Sequence, residues 1–281
     1  MRNEKEQWYC EWANSLGTLE DTAENVWGTL PYDENKHPDE NVVFFGLYGF
    51  PSFFKLWKHK GRKVIFWAGS DIRHFLNGYW LDKKGEIRLD LKALALWINA
   101  ECENWVENEV EQKALAHIGI VSKICPSFLG DTDKFEISYE ASNAPKLYTS
   151  ISGDDFELYQ WQKTMDIASQ YPHYEFHFYG NTIEYPHAKP PNAFIHGRVP
   201  KEQMNEEIKN MQGAVRLIPL EGFSEIIAKS LLMGQWPVSL IPYPHTLSIE
   251  DLPTLKYKKE PNTEGRQWVL SAINRFPWNL K

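Results

Sequence analysis

Short apolar runs and amphipathic segments alternate along the chain. The runs at residues 41–46 (NVVFFG) and 63–69 (KVIFWAG) each end in glycine, which is typical of buried strands. Between them, residues 51–60 begin with proline and stop before Gly61, a pattern that predicts a helix. A strand, a helix and a strand joined by short links make a βαβ unit, so this region predicts a parallel sheet.

The alternation continues until a polar stretch at residues 130–145 interrupts it. We interpret this stretch as a connection between two domains, because the alternation resumes after it. Before that stretch, residues 90–118 are predicted to be helical and residues 118–125 to form a strand. After it, strands are predicted at 146–152, 174–179, 192–197, 214–219 and 236–241, and helices at 156–170, 201–211 and 224–233. Two such halves predict the α/β class with two doubly wound, Rossmann-like domains.

The composition of the 281 residues is that of a globular protein. Hydrophobic residues make up 42% of the chain and the net charge is −8, which excludes disorder as the main state. No apolar stretch is long enough to span a membrane, and the N-terminus lacks the apolar core of a signal peptide, so we expect a cytoplasmic protein. The three cysteines, Cys10, Cys102 and Cys125, form no C-x-x-C pair and are expected to be buried thiols.

Basic residues are concentrated in one segment of this acidic protein. Residues 51–100 carry ten basic and four acidic side chains, and the last 31 residues carry six and three. Near residue 55, Phe53, Phe54 and Trp57 interleave with lysines. Such a segment could bind an anionic membrane surface or nucleic acid. It could equally be an amphipathic helix whose aromatic side packs in the core.

Candidate ligand-binding groups follow the predicted strands. In parallel α/β sheets, ligands bind beyond the carboxyl ends of the strands. After the strand at 214–219, Glu221, Gly222 and Phe223 form a loop, and Ser224 is a good N-cap for the next helix. The amide groups of that helix start would attract an anion. Alternatively, Glu221 is an exposed loop carboxylate and Gly222 a turn residue.

This stretch resembles nucleotide-sugar glycosyltransferases of the GT-B type, notably those of family four. In that family a strand ends in proline, Glu-Gly-Phe follows, and the next helix ends in Gly-x-Pro-Val. Here these are Pro219, residues 221–223 and residues 234–238, with one extra residue before the second proline. Residues 64–71, 179–181 and 195–200 are similar to further parts of the family pattern, so the resemblance covers most of residues 41–245.

The resemblance implies two Rossmann-like domains that face each other across a cleft. It implies an acceptor-side domain over residues 1–140, a nucleotide-sugar-binding domain over 141–258, and a tail over 259–281 whose helix crosses back to the first domain. Glu221 would contact the donor sugar. The donor-binding residues would be Gly222, Phe223, Ser224, Gly180 and Arg198, together with Ser152 and Gly153 in the loop after the first strand of the second domain.

Two positions differ from the family pattern. Lys229 stands where the family has a second glutamate, and the loop at residues 152–155 is acidic where the family tends to have Arg and Lys. Arg216 and Lys229 could instead form a cationic clamp for the leaving diphosphate. The alternatives are a helix-surface pair of Lys229 with Glu225 and a structural salt bridge of Arg216.

The acceptor side is predicted at residues 69–74, where a strand of the first domain ends. Asp71 or His74 could orient or deprotonate an acceptor hydroxyl, with Ser70 and Arg73 beside them. Alternatively, Asp71 caps a turn. No metal site is expected, because the D-x-D at 131–133 lies in the presumed connection and the histidines show no metal spacing.

The sequence therefore predicts a glycosyltransferase that moves a sugar from a nucleotide diphosphate to a hydroxyl acceptor. The resemblance implies catalysis without metal or other cofactor, with retention of anomeric configuration. The acceptor is interpreted as a glycan or lipid-linked precursor, with peripheral membrane association, or secondly as a modified base in DNA, which would involve the basic segment 51–100. No obligate protein partner is implied. The alternative is a non-catalytic sugar- or nucleotide-binding relative.

Overall fold

A computed structural model describes residues 6–12, 25–76 and 91–281. The chain divides into two compact units. The first contains Met1–Gly130, Leu220–Phe223 and Ala272–Lys281, and the second contains Asp131–Pro219 and Ser224–Ser271. The sequence placed the domain boundaries after residues 140 and 258, whereas the structure places them after 130 and 271. The structure also assigns the four residues of the Glu221 loop to the first unit.

The first unit is built on a six-stranded parallel sheet with the strand order β2-β1-β3-β4-β5-β6. Its strands are β1 (Trp8–Trp12), β2 (Leu30–Pro31), β3 (Asn41–Phe45), β4 (Lys63–Phe66), β5 (Glu103–Val106) and β6 (Lys123–Ile124). Its helices are α1 (Phe50–Lys58), α2 (Ser70–Leu76), α3 (Leu91–Glu101) and α4 (Glu109–His117).

Both faces of the central strands β3 and β4 are buried, which explains why these two strands are continuous apolar runs. Val42 and Phe44 of β3 pack with helix residues such as Leu56 and Ile98. The alternate residues of β3 point to the opposite face. There they pack with a cluster of aromatic rings that includes Trp27, Phe276 and Trp278. The C-terminal segment Ala272–Lys281 thus belongs to the core of the first unit. The resemblance implied this for the whole tail, 259–281, but residues 259–271 belong to the second unit.

The second unit has a five-stranded parallel sheet with the order β11-β10-β7-β8-β9. Its strands are β7 (Lys146–Ser150), β8 (Glu175–Tyr179), β9 (Ala193–Gly197), β10 (Gly213–Arg216) and β11 (Val238–Ser239). Its helices are α5 (Trp161–Gln170), α6 (Lys201–Ile208), α7 (Glu225–Leu232) and α8 (Thr263–Ala272), the last of which ends at the boundary with the first unit. The strand order reverses between β7 and β10, and such a switch point is where doubly wound sheets bind ligands.

Most predicted elements of the second unit are confirmed. Helix α5 presents Trp161, Met165 and Ala168 to the core, as its periodicity predicted, although it begins five residues later than expected. Helix α7 is confirmed with Ser224 as its N-cap.

The first unit departs further from the prediction. The segment 90–118 was predicted to be helical throughout, but strand β5 divides it into α3 and α4. Strand β1, which pairs with both β2 and β3, and helix α2 were missed. The three cysteines are buried and free, as expected. Among the described helices, none is long and apolar enough to cross a membrane.

Candidate functional site

A cavity of about 580 Å³ opens in the second unit at the carboxyl ends of β7 and β10. It therefore lies at the switch point of the sheet, where the loops after two neighbouring strands diverge. Seven of the nine predicted donor-binding residues line it: Ser152, Gly153, Gly180, Arg198, Arg216, Ser224 and Lys229. The other two, Gly222 and Phe223, belong to the first unit.

Four cationic side chains line this cavity. Arg198, Arg216 and Lys229 were predicted, and Lys201, the first residue of α6, was missed. Among the described residues that line the cavity, Glu225 is the one acidic side chain. The cavity is therefore electropositive although the chain as a whole is acidic, and this charge suits a phosphate-bearing ligand.

Arg216 contacts two groups that favour a cation. Its Nη1 donates to the carbonyl of Ser150 over 2.9 Å, and its guanidinium lies 4.6 Å from the ring centre of Tyr159. A carbonyl and an aromatic face both favour a cation without neutralising it. Since Ser150 ends β7 and Arg216 ends β10, this contact places the guanidinium at the switch point.

Lys229 is a buried cation, and only 5% of its side chain is exposed. Its Nζ lies 2.9 Å from Glu225 Oε1, and Lys201 Nζ lies 3.2 Å from the same oxygen. Burial lowers the pKa of Lys229, while Glu225 acts in the opposite direction. The pKa of Glu225 is lowered, because the two lysines outweigh the effect of burial. The pair predicted as an alternative role for Lys229 therefore exists, but within the cavity rather than on an outer surface.

The start of α7 contributes backbone donors. Ser224 is the N-cap, and its side chain makes no capping hydrogen bond. Ser224, Glu225 and Ile226 all line the cavity. The first amide groups of a helix have no partner within the helix, and the helix dipole favours negative charge there.

The two carboxylates of the loop after β7 do not line the cavity, although the sequence of this loop is acidic. Asp154 accepts hydrogen bonds from the backbone of Thr182 and Ile183 and from the Thr182 hydroxyl. Asp155 accepts from the backbone of Leu158 over 2.9 Å. Neither residue lines the cavity. The loop therefore presents Ser152 and Gly153 to a ligand, while its carboxylates hold neighbouring turns.

Gly180 is required by close packing against the same loop. Its φ is +97°, and a Cβ at this position would lie 2.2 Å from the carbonyl oxygen of Ile151. A larger residue would displace the loop after β7, so the Tyr-Gly-Asn turn after β8 shapes one wall of the cavity.

Glu221, the predicted donor-contacting residue, lies in the part of the chain grouped with the first unit. Asn108 Nδ2 donates to the Glu221 carbonyl over 2.7 Å, and the Phe223 amide donates to Glu107 Oε2 over 2.9 Å. Arg73, which was predicted on the acceptor side, donates to the Leu220 carbonyl. The backbone of this loop is thus held by side chains that follow β4 and β5.

The remaining acceptor-side candidates lie in α2, the helix that follows β4. Asp71 is completely buried, and its carboxylate accepts from the backbone of Leu47, Ala68 and Ile72 at 2.8–2.9 Å. Burial raises its pKa to about 6. These contacts match the alternative explanation, in which Asp71 caps a turn. Ser70 Oγ lies 2.5 Å from the Tyr48 hydroxyl, and the half-buried His74 ring lies 6.1 Å from the Tyr48 ring.

Sequence reasoning missed a pair of buried carboxyl groups in the first unit. Burial raises the pKa of Glu107 to about 7, and it raises the pKa of Glu111 well above its usual value, with the nearby Glu107 adding to the effect. These residues follow strand β5, which the hydrophobic pattern assigned to a predicted helix over residues 90–118. Correct placement of β5 would have put Glu107 and Asn108 at the carboxyl edge of the sheet, where candidate residues are sought.

In the basic segment, several charges are used in ion pairs. Lys55 pairs with Glu11, Arg62 with Glu103 at 3.0 Å and Lys63 with Glu101 at 3.7 Å. On helix α1, Phe53 is buried as an amphipathic helix requires. Phe50, Phe54 and Trp57, however, form an exposed row of rings. The amphipathic-helix interpretation therefore accounts for Phe53, whereas the exposed rings lie outside the core.

The D-x-D segment caps a short turn. Asp131 Oδ1 accepts from the Asp133 amide over 3.0 Å at the start of a 3-10 helix, Thr132–Lys134. Within the described residues, no group of three or more His, Cys, Asp or Glu side chains is arranged to hold a metal ion.

No family model and no curated protein matches this sequence. Solved structures do match. The lipopolysaccharide outer core galactosyltransferase WaaB is 12% identical with a TM-score of 0.56, and the match covers 97% of this chain and 96% of WaaB. Sucrose-phosphate synthase from Thermosynechococcus elongatus is 9% identical with a TM-score of 0.58, over 90% of this chain and 72% of that protein.

A third match is a variant of S. aureus TarM in complex with fondaparinux, alpha-GlcNAc-glycerol and UDP. It is 10% identical with a TM-score of 0.53, and the match covers 90% of this chain. This chain spans about half the length of TarM (53%). At such low identity the likeness concerns the fold. Together with the two parallel sheets, it shows that this protein has the two-domain, Rossmann-like GT-B fold of these enzymes.

Proposed function

We propose that this protein is a glycosyltransferase that transfers a sugar from a nucleotide diphosphate sugar to a hydroxyl acceptor. The observation that carries the proposal is the electropositive cavity at the β7–β10 switch point, lined by Arg198, Lys201, Arg216 and Lys229. Its volume of about 580 Å³ suits a ligand of this size. The fold neighbours support the same class, since one is a galactosyltransferase and another holds UDP.

In this proposal the second unit binds the donor. The amide groups at the start of α7 and the guanidinium of Arg216 contact the diphosphate, whose negative charge grows as the sugar departs. Lys229 and Lys201 share Glu225 and keep a positive charge near the same position. Catalysis then consists mainly of positioning and of stabilising the leaving diphosphate. Glu221 contacts the donor sugar, as the resemblance to family four implies, and transfer is metal-independent and retaining.

Calorimetry with a panel of uridine, guanosine, adenosine and thymidine diphosphate sugars tests donor binding directly. We expect one of them to bind, and Arg216→Ala or Lys229→Gln to weaken binding of the nucleoside diphosphate about 10-fold or more, since each removes a charge-assisted contact. Lys209→Ala, which removes a half-buried lysine of the same unit that pairs with Glu206 and does not line the cavity, is the matched control and should bind normally. If the cavity variants change only the melting temperature, their charges are structural.

Turnover separates an enzyme from a non-catalytic relative. Donor hydrolysis by the wild-type protein, lost in Glu221→Ala with nucleotide binding retained, supports transferase activity. Binding without hydrolysis or transfer to any acceptor indicates the binding relative. The acidic sequence of the loop at 152–155 does not favour that relative, because Asp154 and Asp155 accept hydrogen bonds from backbone amides and do not line the cavity.

For the acceptor we propose a glycan or lipid-linked precursor at a membrane surface, reached from the cytoplasm, rather than a base in DNA. The exposed ring row of α1 suits a lipid interface. The pairing of Lys55, Arg62 and Lys63 with carboxylates reduces the positive charge that DNA phosphates require.

A further inference from the structure

The backbone of the Glu221 loop is held by two residues that follow β5. Asn108 Nδ2 donates to the carbonyl of Glu221 over 2.7 Å. Two residues further along the loop, the amide of Phe223 donates to Glu107 Oε2 over 2.9 Å. The loop therefore takes part of its conformation from β5 as well as from its own sequence.

The packing explains why the loop contains glycine. Gly222 does not have a positive φ, so backbone strain does not require it. A Cβ at Gly222 would instead lie 1.9 Å from Glu107 Oε2, which is far inside van der Waals contact. A Cβ on Gly69, at the end of the link after β4, would lie 2.3 Å from the Gly222 amide nitrogen. Position 222 of the Glu-Gly-Phe segment is thus glycine because the carboxyl group of Glu107 occupies the space that a Cβ would need.

Both holding residues are themselves fixed. Glu107 is buried, and its Oε1 accepts from the Ser127 amide over 2.9 Å and from the Ser127 hydroxyl over 2.5 Å. Asn108 is the N-cap of α4, and its Oδ1 accepts from the Glu111 amide over 3.0 Å. The Asn108 side chain therefore spans from the start of a helix to the loop, with an acceptor at one end and a donor at the other.

We propose that Glu107 and Asn108 are positioning residues that hold the Glu221 loop in the conformation needed for sugar transfer. The inference rests on the proposed function, because it assigns Glu221 to donor contact. Neither residue touches the donor in this account; they act through the backbone of the loop. Since reacting groups must be placed within a fraction of an ångström, loss of one such contact costs turnover rather than nucleotide affinity.

Asn108→Ser isolates the contact. Serine is as good an N-cap as asparagine, so α4 keeps its cap, but the side chain no longer donates to Glu221. Gln112→Ala, which removes a hydrogen bond from the same helix to the Ser122 carbonyl, is the matched control for a general loosening of α4. We expect kcat of Asn108→Ser to fall about 10- to 100-fold. Its Kd for the nucleoside diphosphate should stay within about twofold, and Gln112→Ala should keep kcat.

A second readout does not depend on activity. Amide hydrogen exchange of a peptide covering residues 220–224, followed by mass spectrometry, should be faster in Asn108→Ser than in the wild type or Gln112→Ala. Unchanged exchange shows that Asn108 does not hold the loop, and faster exchange with unchanged kcat shows that holding it does not serve catalysis; either result overturns the proposal. If the wild-type protein neither binds nor turns over any donor, the proposed function fails, and the exchange experiment still decides whether the loop is anchored.

Discussion

The side chain of Glu111 is completely buried, and burial is costly for a carboxylate. Its Oε2 accepts from the Glu107 amide over 2.7 Å, whereas Oε1 makes no hydrogen bond within the described part of the chain. Burial and the neighbouring Glu107 raise its pKa well above the usual value. Protonation removes the charge without breaking the bond to Oε2, so the folded protein favours the neutral acid.

This protonation makes stability depend on pH. The unfolded chain releases the proton of Glu111 near pH 4.5, while the folded chain retains it to higher pH. Above pH 4.5, the unfolded state therefore binds fewer protons, and the free energy of unfolding falls by up to about 1.4 kcal/mol per pH unit until the folded-state pKa is reached. Asp71 and Glu107, whose pKa values are raised to about 6 and about 7, add to the same decline.

Glu111→Gln tests this explanation, because glutamine has the shape of the neutral acid and does not titrate. We expect urea unfolding to show a shallower loss of stability between pH 5 and pH 8 in this variant than in the wild type. Glu109→Gln on the same helix, where Glu109 forms an exposed pair with Lys113, is the matched control and should follow the wild-type profile. Parallel profiles for all three proteins would show that Glu111 ionises normally.

At the scale of elements, α1 has two different faces. Phe53 and Leu56 pack in the core, while Phe50, Phe54 and Trp57 remain 38–54% exposed. The rings of Phe50 and Phe54 lie 6.0 Å apart, those of Phe54 and Trp57 5.8 Å apart, and Lys58 Nζ lies 4.3 Å from the Phe54 ring centre. Aromatic rings beside lysines are the composition of helices that lie at an anionic lipid interface.

We expect the protein to float with vesicles of phosphatidylglycerol and phosphatidylcholine and to be released as salt rises. The double change Phe54→Ser and Trp57→Ser should reduce flotation at least fivefold, because it removes most of the apolar contact with the bilayer. Leu96→Ser, at an exposed leucine of α3, is the control and should float like the wild type. Equal flotation of both variants would contradict the assignment of α1 as the lipid-contacting face.

Hydrophobic patterning was a good guide to these elements wherever a strand is buried on both faces or a helix has one apolar face. Strand β5 was missed because its four residues, Glu103–Val106, include two polar residues, alternate between half-buried and buried positions, and lie between two helices. Because these four residues were assigned to a helix, the pattern gave no reason to examine Glu107 and Asn108, which follow them. Lys201 was missed for another reason. A lysine at the start of a helix belongs to no recognisable sequence motif, and only the fold brings it close to Glu225.

At the scale of the whole molecule, Trp8 of the first strand and residues of the C-terminal segment pack in one core of the first unit. Trp278 is completely buried, with ring centres 4.4 Å from Phe276, 6.0 Å from Trp27 and 6.3 Å from Trp8. The residues that complete this core thus follow the entire second unit in the sequence. The apolar pattern alone could not show this packing, since the segment 272–281 is short and far from Trp8 in the sequence.

Because the segment 272–281 completes the core of the first unit, we predict that it stabilises that unit selectively. Trp278→Ala removes a large buried ring and should cost about 3–5 kcal/mol of unfolding free energy in that unit. Hydrogen exchange should then be faster in peptides from β3 and β4, with little change in β8 of the second unit. Trp57→Ala removes an indole that is 54% exposed and should leave both units protected. Equal acceleration of exchange in β3 and β8 would instead mean that the two units unfold as one cooperative body.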